Sequence, residues 1–549
     1  MLARDYALLL LLCLALFLPG LARIPPFDRD EARFAEASRQ MLESGDFVTI
    51  RFQNELRLKK PVGIYWLQAA SAALFDHGSV PRIWPYRLPS VLGALLAVLL
   101  TARIGTQFYG RKAGLLAGAL LATSLLLGAE AHIATTDAVE LAAILAGQLA
   151  LADAYLFGDQ APERERKRAI LFWLALGIGI LVKGPINLMV TGLTAVALCL
   201  LDRRADWLRW LKPWPYALLT VAVVAPWGIL ITVSTKGAFL AQSVGHDLLG
   251  KVAASQEAHG APPGYFTLLF WECFWPGSLL AGLAIPWVRR HWHEPPTRFC
   301  LAWLAPSWLV FELVPTKLPH YTLPLYPAIA ILAAVAALAP IPRPAGWAGR
   351  IALGVLVAGW CALTLAIAAA LPLLPMYLGD GFDMLPLLAA ILMALLELGA
   401  LAFYFAGRRG PAFGAGLAGV VIYSVTLFHS VLPGLDRIWI SREVARDVAA
   451  AAICPHPDVI LAGISEPSFV FLLGVDTSFG DGKDAAERLL TDPCAVAAVE
   501  RSFLPGFTAR LAADGKTADA LGTIDGINLA RGKAVALTLY ARAHAGAGK

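Results

Sequence analysis

The stretch Pro25-Pro26-Phe27-Asp28-Arg29-Asp30-Glu31-Ala32-Arg33-Phe34 follows directly on an apolar run near residues 5–23. Half of it is charged. Charge set against a bilayer-length apolar run costs free energy and is usually kept for function. Which side of the membrane this cluster faces follows from the arginines elsewhere in the chain.

Composition puts the chain in the membrane class. Hydrophobic residues fill 58% of its 549 positions and charged residues 15%, against roughly 45–50% and about 25% in soluble domains. Mean hydropathy is +0.64. About 20 apolar residues cross a bilayer. Thirteen such windows are read, near residues 5–23, 82–104, 112–128, 132–157, 168–183, 185–201, 213–234, 266–288, 298–314, 322–340, 349–372, 383–406 and 412–432. Gly20-Leu21-Ala22 would also suit signal-peptide cleavage, but the orientation pattern works with the first window retained.

Basic residues sort between alternate connections. One side holds Arg4, then Arg103, Arg111 and Lys112, then Arg164, Arg166, Lys167 and Arg168. It continues with Arg203, Arg204, Arg209 and Lys212, then Arg289, Arg290 and Arg298, then Arg343, Arg350, Arg408 and Arg409. Excess Lys and Arg marks the cytoplasm, so the N-terminus is expected inside. After an odd number of spans, the C-terminal tail is expected outside, which makes this a multi-pass protein of the inner (plasma) membrane.

Residues 1–440 form the membrane part on this reading, and 441–549 a periplasmic domain. The tail has no span-length apolar run. It alternates helical stretches (442–453, 484–490) with strand-like ones (458–462, 535–540) and reads as a small α/β domain with a core of its own. Cys454 and Cys494 fall here, where a disulfide persists, though spacing alone leaves their pairing open. The other five cysteines read as apolar packing. The net charge of +5 resides in inside-facing arginines and gives no reason to expect nucleic acid.

The first outside loop, about 24–81, is too long for a mere connector. Phe34, Ala37, Met41 and Leu42 recur at helical spacing, which predicts an amphipathic helix lying in the interface. Asp28 and Glu31 have capping-box spacing, so Asp28 is expected to cap that helix and Asp30 to sit in its first turn. There Asp30 could merely complement the helix dipole. A second interfacial helix is predicted over 61–75, with Tyr65 and Trp66 as belt aromatics.

Other outside groups carry chemistry as well. Asp137, in Thr135-Thr136-Asp137-Ala138, begins an apolar helix, where a carboxylate should face a wet cavity or a cation. Lys317-Leu318-Pro319-His320-Tyr321 packs cations and a phenol into one turn, as phosphate donors or as snorkelling belt residues. Lys183 precedes a helix-breaking Gly184-Pro185. His246 and Lys251 share the loop 235–265 with His259. Histidine spacing typical of a metal site is missing from the sequence. One acid with several separated cations outside the cytosol, where nucleotide sugars are lacking, suggests an activated group carried on a lipid phosphate. Such a leaving group needs electrostatic stabilisation.

These stretches closely resemble the lipid-dependent membrane glycosyltransferases of the GT-C fold, nearest to the bacterial aminoarabinose transferase and protein O-mannosyltransferase branch. The resemblance rests on Asp30-Glu31-Ala32-Arg33-Phe34-Ala35-Glu36, Leu42-Glu43-Ser44-Gly45-Asp46-Phe47, Lys60-Pro61-Val62-Gly63-Ile64-Tyr65-Trp66, Thr136-Asp137, Lys183-Gly184-Pro185 and Lys317-Leu318-Pro319-His320-Tyr321, in this order. It implies a mostly α polytopic protein with about thirteen membrane helices, interfacial helices in the first outside loop and a small C-terminal α/β domain.

For the site, the resemblance implies Asp30 as the catalytic acidic residue, supported by Glu31 and Arg33, with Asp137 as a second acidic position. Lys60, Lys251 and Tyr321 would contact the donor phosphate, joined by Lys317. Tyr65, His320 and Lys183 are supporting residues, and His246 matches a position linked to a divalent metal. The family's glutamate before the Lys-Pro pair is Lys59 here, a poor metal ligand, so the metal is left unknown. Lys251 stands for an expected arginine and gives up bidentate phosphate geometry.

The expected reaction moves a sugar, with inversion, from a polyprenyl-phosphate donor to an envelope acceptor, whether lipid A, another glycolipid or a protein, among membrane lipids. The rival reading, a lipid-linked sugar flippase, would need cations leading to the cytoplasmic side. A glycan polymerase or ligase shares the chemistry but not the Asp-Glu loop.

Overall fold

The structure, a computed structural model, describes residues 1–78, 81–243, 245, 260–340, 346–451, 453–529 and 531–542. Each apolar window falls on a helix or a bent pair of helices. Among the described residues, seven helices are long and apolar enough to cross a membrane: Trp84–Tyr109, Asp137–Phe157, Pro213–Ser234, Pro319–Leu338, Gly346–Leu378, Met384–Phe405 and Arg409–Gly434. The number rises to nine if two bent pairs each count as one span. These are Arg111–Ala122 with Leu125–Ala131, bent by 63°, and Tyr265–Cys273 with Ser278–His291, bent by 118°.

The other expected spans are helices that fall short of that measure. Ala3–Phe17 and Ile186–Asp202 have 15 and 17 residues. Glu165–Lys183 opens on Glu-Arg-Lys-Arg, and Pro295–Leu313 opens on two prolines and carries Arg298. The protein is polytopic, and by length and composition seven to nine of the thirteen expected spans meet that measure among the described residues.

Beyond the first helix, which ends at Phe17, the chain turns at a glycine. Gly20 has φ +81°, and a Cβ there would lie 1.9 Å from the Phe428 carbonyl oxygen, so only glycine lets the chain turn against that helix. The bundle core is continuous: Phe17, Leu127, Trp275, Phe299, Trp303 and Tyr326 are all buried in one cluster. The helix Met384–Phe405 buries Glu397 against a cavity of about 90 Å³ lined by Leu120, Leu279, Trp360 and Leu401.

Two helices fill the first long loop, Asp30–Ser44 and Gly63–Phe75, as the periodicity predicts. Between them lies a small hairpin, β1 (Arg51–Phe52) and β2 (Glu55–Leu56). Phe34, Ala37 and Met41 do form the buried face of the first helix, against Ile50, Val62, Ile64 and Tyr65. Tyr65 is fully buried, so it is a core residue and not a belt aromatic. Trp66 stays partly exposed, with its indole N–H on the Phe47 carbonyl.

The C-terminal part begins with the helix Ile440–Ala451 and contains a five-stranded sheet in the order β4 (Ser478–Gly480), β3 (Asp458–Ala462), β5 (Ala495–Glu500), β7 (Lys533–Arg542), β6 (Ala518–Asn528). β3 pairs parallel with β4 and β5, while β7 pairs antiparallel with β5 and β6. Alternation along β3 builds two cores. Val459 and Leu461 pack with Val444 and Val448, whereas Ile460 and Ala462 pack with Leu489 and Phe507. A disulfide joins Cys454 to Cys494 and closes 40 residues of chain.

Candidate active site

The charged stretch quoted first is held by an arginine far away in sequence. Arg87, in the helix Trp84–Tyr109, donates to the carbonyls of Leu21 and Ile24 at 2.8 Å and Pro25 at 2.9 Å. It also grips both oxygens of Glu31, at 2.7 and 2.9 Å. Glu31 accepts in addition from the backbone N–H of Phe27 and Ala134, each at 2.7 Å. Both side chains are buried. Glu31 is therefore a counter-ion that fixes the loop and supports Asp30 through it, with every lone-pair direction already used.

Asp28 does not cap the helix either. Arg29 occupies the cap position with φ 66° and makes no side-chain cap bond, while Asp28 Oδ1 accepts from the Ser468 N–H of the C-terminal part. Burial pushes the Asp28 carboxyl up from its ordinary range. A positive φ at a residue other than glycine is a strained arrangement. Here it immediately precedes Asp30, the first helical residue, whose side chain is 66% exposed.

Asp30 opens onto a cavity of about 1420 Å³. Arg33, Lys60, Asp137, Lys183, His320 and Tyr321 line it too, so residues spread over almost 300 positions converge on one space. Asp137 begins its helix at the cavity, and Lys183 ends the next one there, where Gly184 (φ +91°) and Pro185 stop the helix. Lys183 Nζ donates to Asp137 Oδ1, which supplies the cation that a carboxylate in an apolar helix needs. The same ammonium lies 6.0 Å from the Tyr321 ring centroid. His320 stands between two acids, its ring nitrogens 3.7 Å from Asp137 and 3.7 Å from Glu130.

Some expectations fail here. Lys317 is buried outside the cavity lining, and its ammonium is spent on the carbonyls of Glu312 at 2.8 Å and Val314 at 2.7 Å. It caps the end of the helix Pro295–Leu313 and is removed from the phosphate-binding set. Tyr65 meets the site only indirectly, by accepting from Arg57 Nε at 2.9 Å. Burial raises its phenol above the usual range, with Arg57 pulling the other way. His246 and Lys251 lie outside the described residues, as does His259.

Two cavity residues went unread in the sequence. Glu130 sits between the apolar windows 112–128 and 132–157, and an acid in such a place is itself a sign of function. Arg57 gives no local signal, because its partners come from the two flanking helices. For a metal, among the described residues no group of three or more His, Cys, Asp or Glu side chains stands together as a ligand set. Asp137 is occupied by Lys183. The described donors do not fit a metal, and no step is routed through one.

The C-terminal part closes the cavity. Ser465, Asp476, Thr477, Ser478 and Arg488 line it. Gln53, in the turn of the β1–β2 hairpin, donates to the carbonyls of Val475 at 2.9 Å and Thr477 at 2.7 Å.

Comparison with known proteins gives this geometry a setting. The family described as dolichyl-phosphate-mannose-protein mannosyltransferase matches residues 59–230. A curated relative from Enterobacter sp. (strain 638), named undecaprenyl phosphate-alpha-4-amino-4-deoxy-L-arabinose arabinosyl transferase, is 28% identical over 339 residues, which is 60% of this chain and 59% of that one. Its counterpart of the same name from Aeromonas salmonicida (strain A449) is 29% identical over 347 residues, 61% and 60% of the two chains. The chain thus spans about three fifths of the length of these relatives. The crystal structure of ArnT from Cupriavidus metallidurans bound to undecaprenyl phosphate superposes with a TM-score of 0.75 at 19% identity, covering 97% of each chain. In fold, the chain is a polytopic GT-C membrane protein, similar over nearly its whole length to that ArnT.

Proposed function

We propose that the chain is a membrane glycosyltransferase that moves a sugar from a polyprenyl-phosphate donor to an envelope acceptor, either lipid A, another glycolipid or a protein. The single observation that carries this is the convergence of Asp30, Lys60, Lys183, His320 and Tyr321 on one wide cavity at one end of an apolar bundle. The names of the relatives support the donor class.

The reaction is one displacement. An acceptor oxygen attacks the anomeric carbon, the bond from that carbon to the phosphate oxygen breaks, and the electron pair leaves with the polyprenyl phosphate. Asp30 takes the proton of an acceptor hydroxyl, or orients an acceptor phosphate that is already anionic. Lys60 and Tyr321 stabilise the charge developing on the leaving phosphate, with Lys251 expected beside them. The Lys183–Asp137 pair and His320 set the polar floor of the cavity.

The catalytic end belongs on the periplasmic face, with the N-terminus cytoplasmic and the C-terminal domain outside. This is supported by Arg111, Arg168 and Arg298, which pair with Asp5, Asp153 and Asp202 at the helix ends away from the cavity. A flippase is the weaker reading, since the cationic cluster stays at one end of the bundle.

The test incubates purified protein with several radiolabelled polyprenyl-phosphate sugars and envelope lipids and follows release of free polyprenyl phosphate. Asp30→Asn should fold and insert yet lose nearly all release. Near-normal turnover in that variant removes Asp30 from its role.

A further inference from the structure

Arg57 leaves the β1–β2 hairpin with its own N–H bonded to the Ile50 carbonyl at 2.8 Å, so the arm that carries it is fixed at the base. Gln53 fixes the same hairpin at its tip. The guanidinium is then held from two directions. Its carbon lies 5.0 Å from the centroid of the Phe34 ring, and its Nε donates to Tyr65 Oη at 2.9 Å. Phe34 and Tyr65 in turn pack ring against ring, 5.2 Å apart. What this leaves for the outer edge of the guanidinium is Asp30: Nη2 lies 3.7 Å from Asp30 Oδ1, at the wall of the cavity.

We propose that Arg57 is a positioning residue for the transfer reaction, holding Oδ1 of Asp30 so that its other oxygen faces the acceptor. The proposal rests on the transferase reading of the cavity. Only a planar guanidinium serves Tyr65 and Asp30 at once from fixed directions; an ammonium is a point charge on a flexible stem. The contact of 3.7 Å is an ion pair and not a hydrogen bond, as expected of a site without substrate, where catalytic contacts tighten on loading. As substrate displaces water, the adjacent guanidinium stays as a counter-charge beside Asp30 Oδ1.

Other charged groups stand around Asp30. Tyr65 is buried behind Arg57; Arg29, Glu31 and Arg33 flank Asp30 on its own segment, and Lys60, His320 and the Asp137–Lys183 pair line the same space. Glu31 is paired with Arg87 and Asp137 with Lys183, while Arg57 stands in direct ion pairing with Asp30.

The experiment measures polyprenyl-phosphate release against pH for the full-length protein and for Arg57→Lys, Arg57→Ala and Tyr65→Phe, with the labelled polyprenyl-phosphate sugar on which the wild type is active. Arg57→Lys is expected to lower kcat roughly 10- to 100-fold while the KM for the donor stays within about twofold. The acidic limb of the profile should move up in Arg57→Ala, which removes the charge beside Asp30, and hold in Arg57→Lys, which keeps it. Added guanidinium ion should restore part of the Arg57→Ala turnover and none of the Asp30→Asn turnover. Tyr65→Phe, which loosens the guanidinium but keeps its charge, should lower kcat without moving the limb.

Wild-type turnover in Arg57→Lys, or an unmoved limb in a folded Arg57→Ala, overturns the proposal. So does a loss confined to donor KM, which would make Arg57 a phosphate contact. If Arg57→Ala does not fold, Arg57→Lys and Tyr65→Phe decide alone. A wild type that releases no polyprenyl phosphate from any sugar sinks the transferase reading and the role of Arg57 with it, whereas an active wild type with indifferent Arg57 variants sinks only the latter.

Discussion

Replacing Glu31 by Gln tests how the loop that presents Asp30 is built. Glu31 Oε1 takes Arg87 Nε and the Ala134 N–H, both at 2.7 Å, while Oε2 takes Arg87 Nη2 at 2.9 Å and the Phe27 N–H at 2.7 Å. An amide has one accepting oxygen, and its NH2 end would face two donors in either orientation. Two of the four bonds are lost, and Arg87 keeps its buried charge without a counter-ion. Breaking a buried pair from one side costs about 3–5 kcal/mol.

The double variant Glu31→Gln/Arg87→Met removes the stranded charge and should recover part of that loss. The carbonyls of Leu21, Ile24 and Pro25 then lack their donor and retain the rest. The assay is an SDS unfolding titration in mixed micelles, paired with polyprenyl-phosphate release per folded molecule. A Glu31→Gln protein of wild-type stability refutes the reasoning. One that is stable but inactive would return Glu31 to the chemistry.

Three further outcomes are expected. Burial pushes the Glu36 carboxyl from 4.5 up to about 7, and its Arg39 contact at 2.8 Å is not aligned as a hydrogen bond. The folded state therefore favours the protonated acid, so its contribution is full below about pH 4.5 and falls by roughly 3 kcal/mol as pH rises through about 7. Glu36→Gln should flatten that slope and exceed wild-type stability at pH 8; an unchanged slope in thermal scans counts against it. Glu397, whose Oε1 has no hydrogen-bond partner, is a carboxyl inside a span, where the cost is about 2.5–3.5 kcal/mol. Glu397→Met should raise the SDS midpoint, and a lowered midpoint would mean that the acid is needed. Cys454→Ser opens the 40-residue loop at a cost of about 4 kcal/mol on the chain-entropy estimate. It should speed proteolysis of the tail, and cleavage at the wild-type rate would refute that.

Local pattern carried much of this molecule. Apolar windows placed the helices, the spacing of Phe34, Ala37 and Met41 gave the buried face of the first loop helix, and Asp137 found the cation that its burial demanded. Asp30, Lys60, Lys183, His320 and Tyr321 do share one cavity. What failed depended on distant partners. How Glu31 supports Asp30 was illegible because Arg87, 56 residues away, leaves no trace in the motif. Lys317 looked like a phosphate donor because nothing local shows that its stem bends back to the preceding helix end. Strands β4, β5 and β6 were missed because a mixed sheet order places neighbours far apart in sequence, and two-sided burial of β5 erases its alternation.

The hydrogen bonds from Gln53 to Val475 and Thr477, and from the Ser468 N–H to Asp28, bear on protein engineering. The tail's share of all three contacts is backbone, so a chimera that grafts the tail of one relative onto the bundle of another keeps them only where the new tail holds its chain at the same positions and the bundle supplies Gln53 and Asp28. A cut at residue 440 therefore tests loop placement in the tail before it tests sequence.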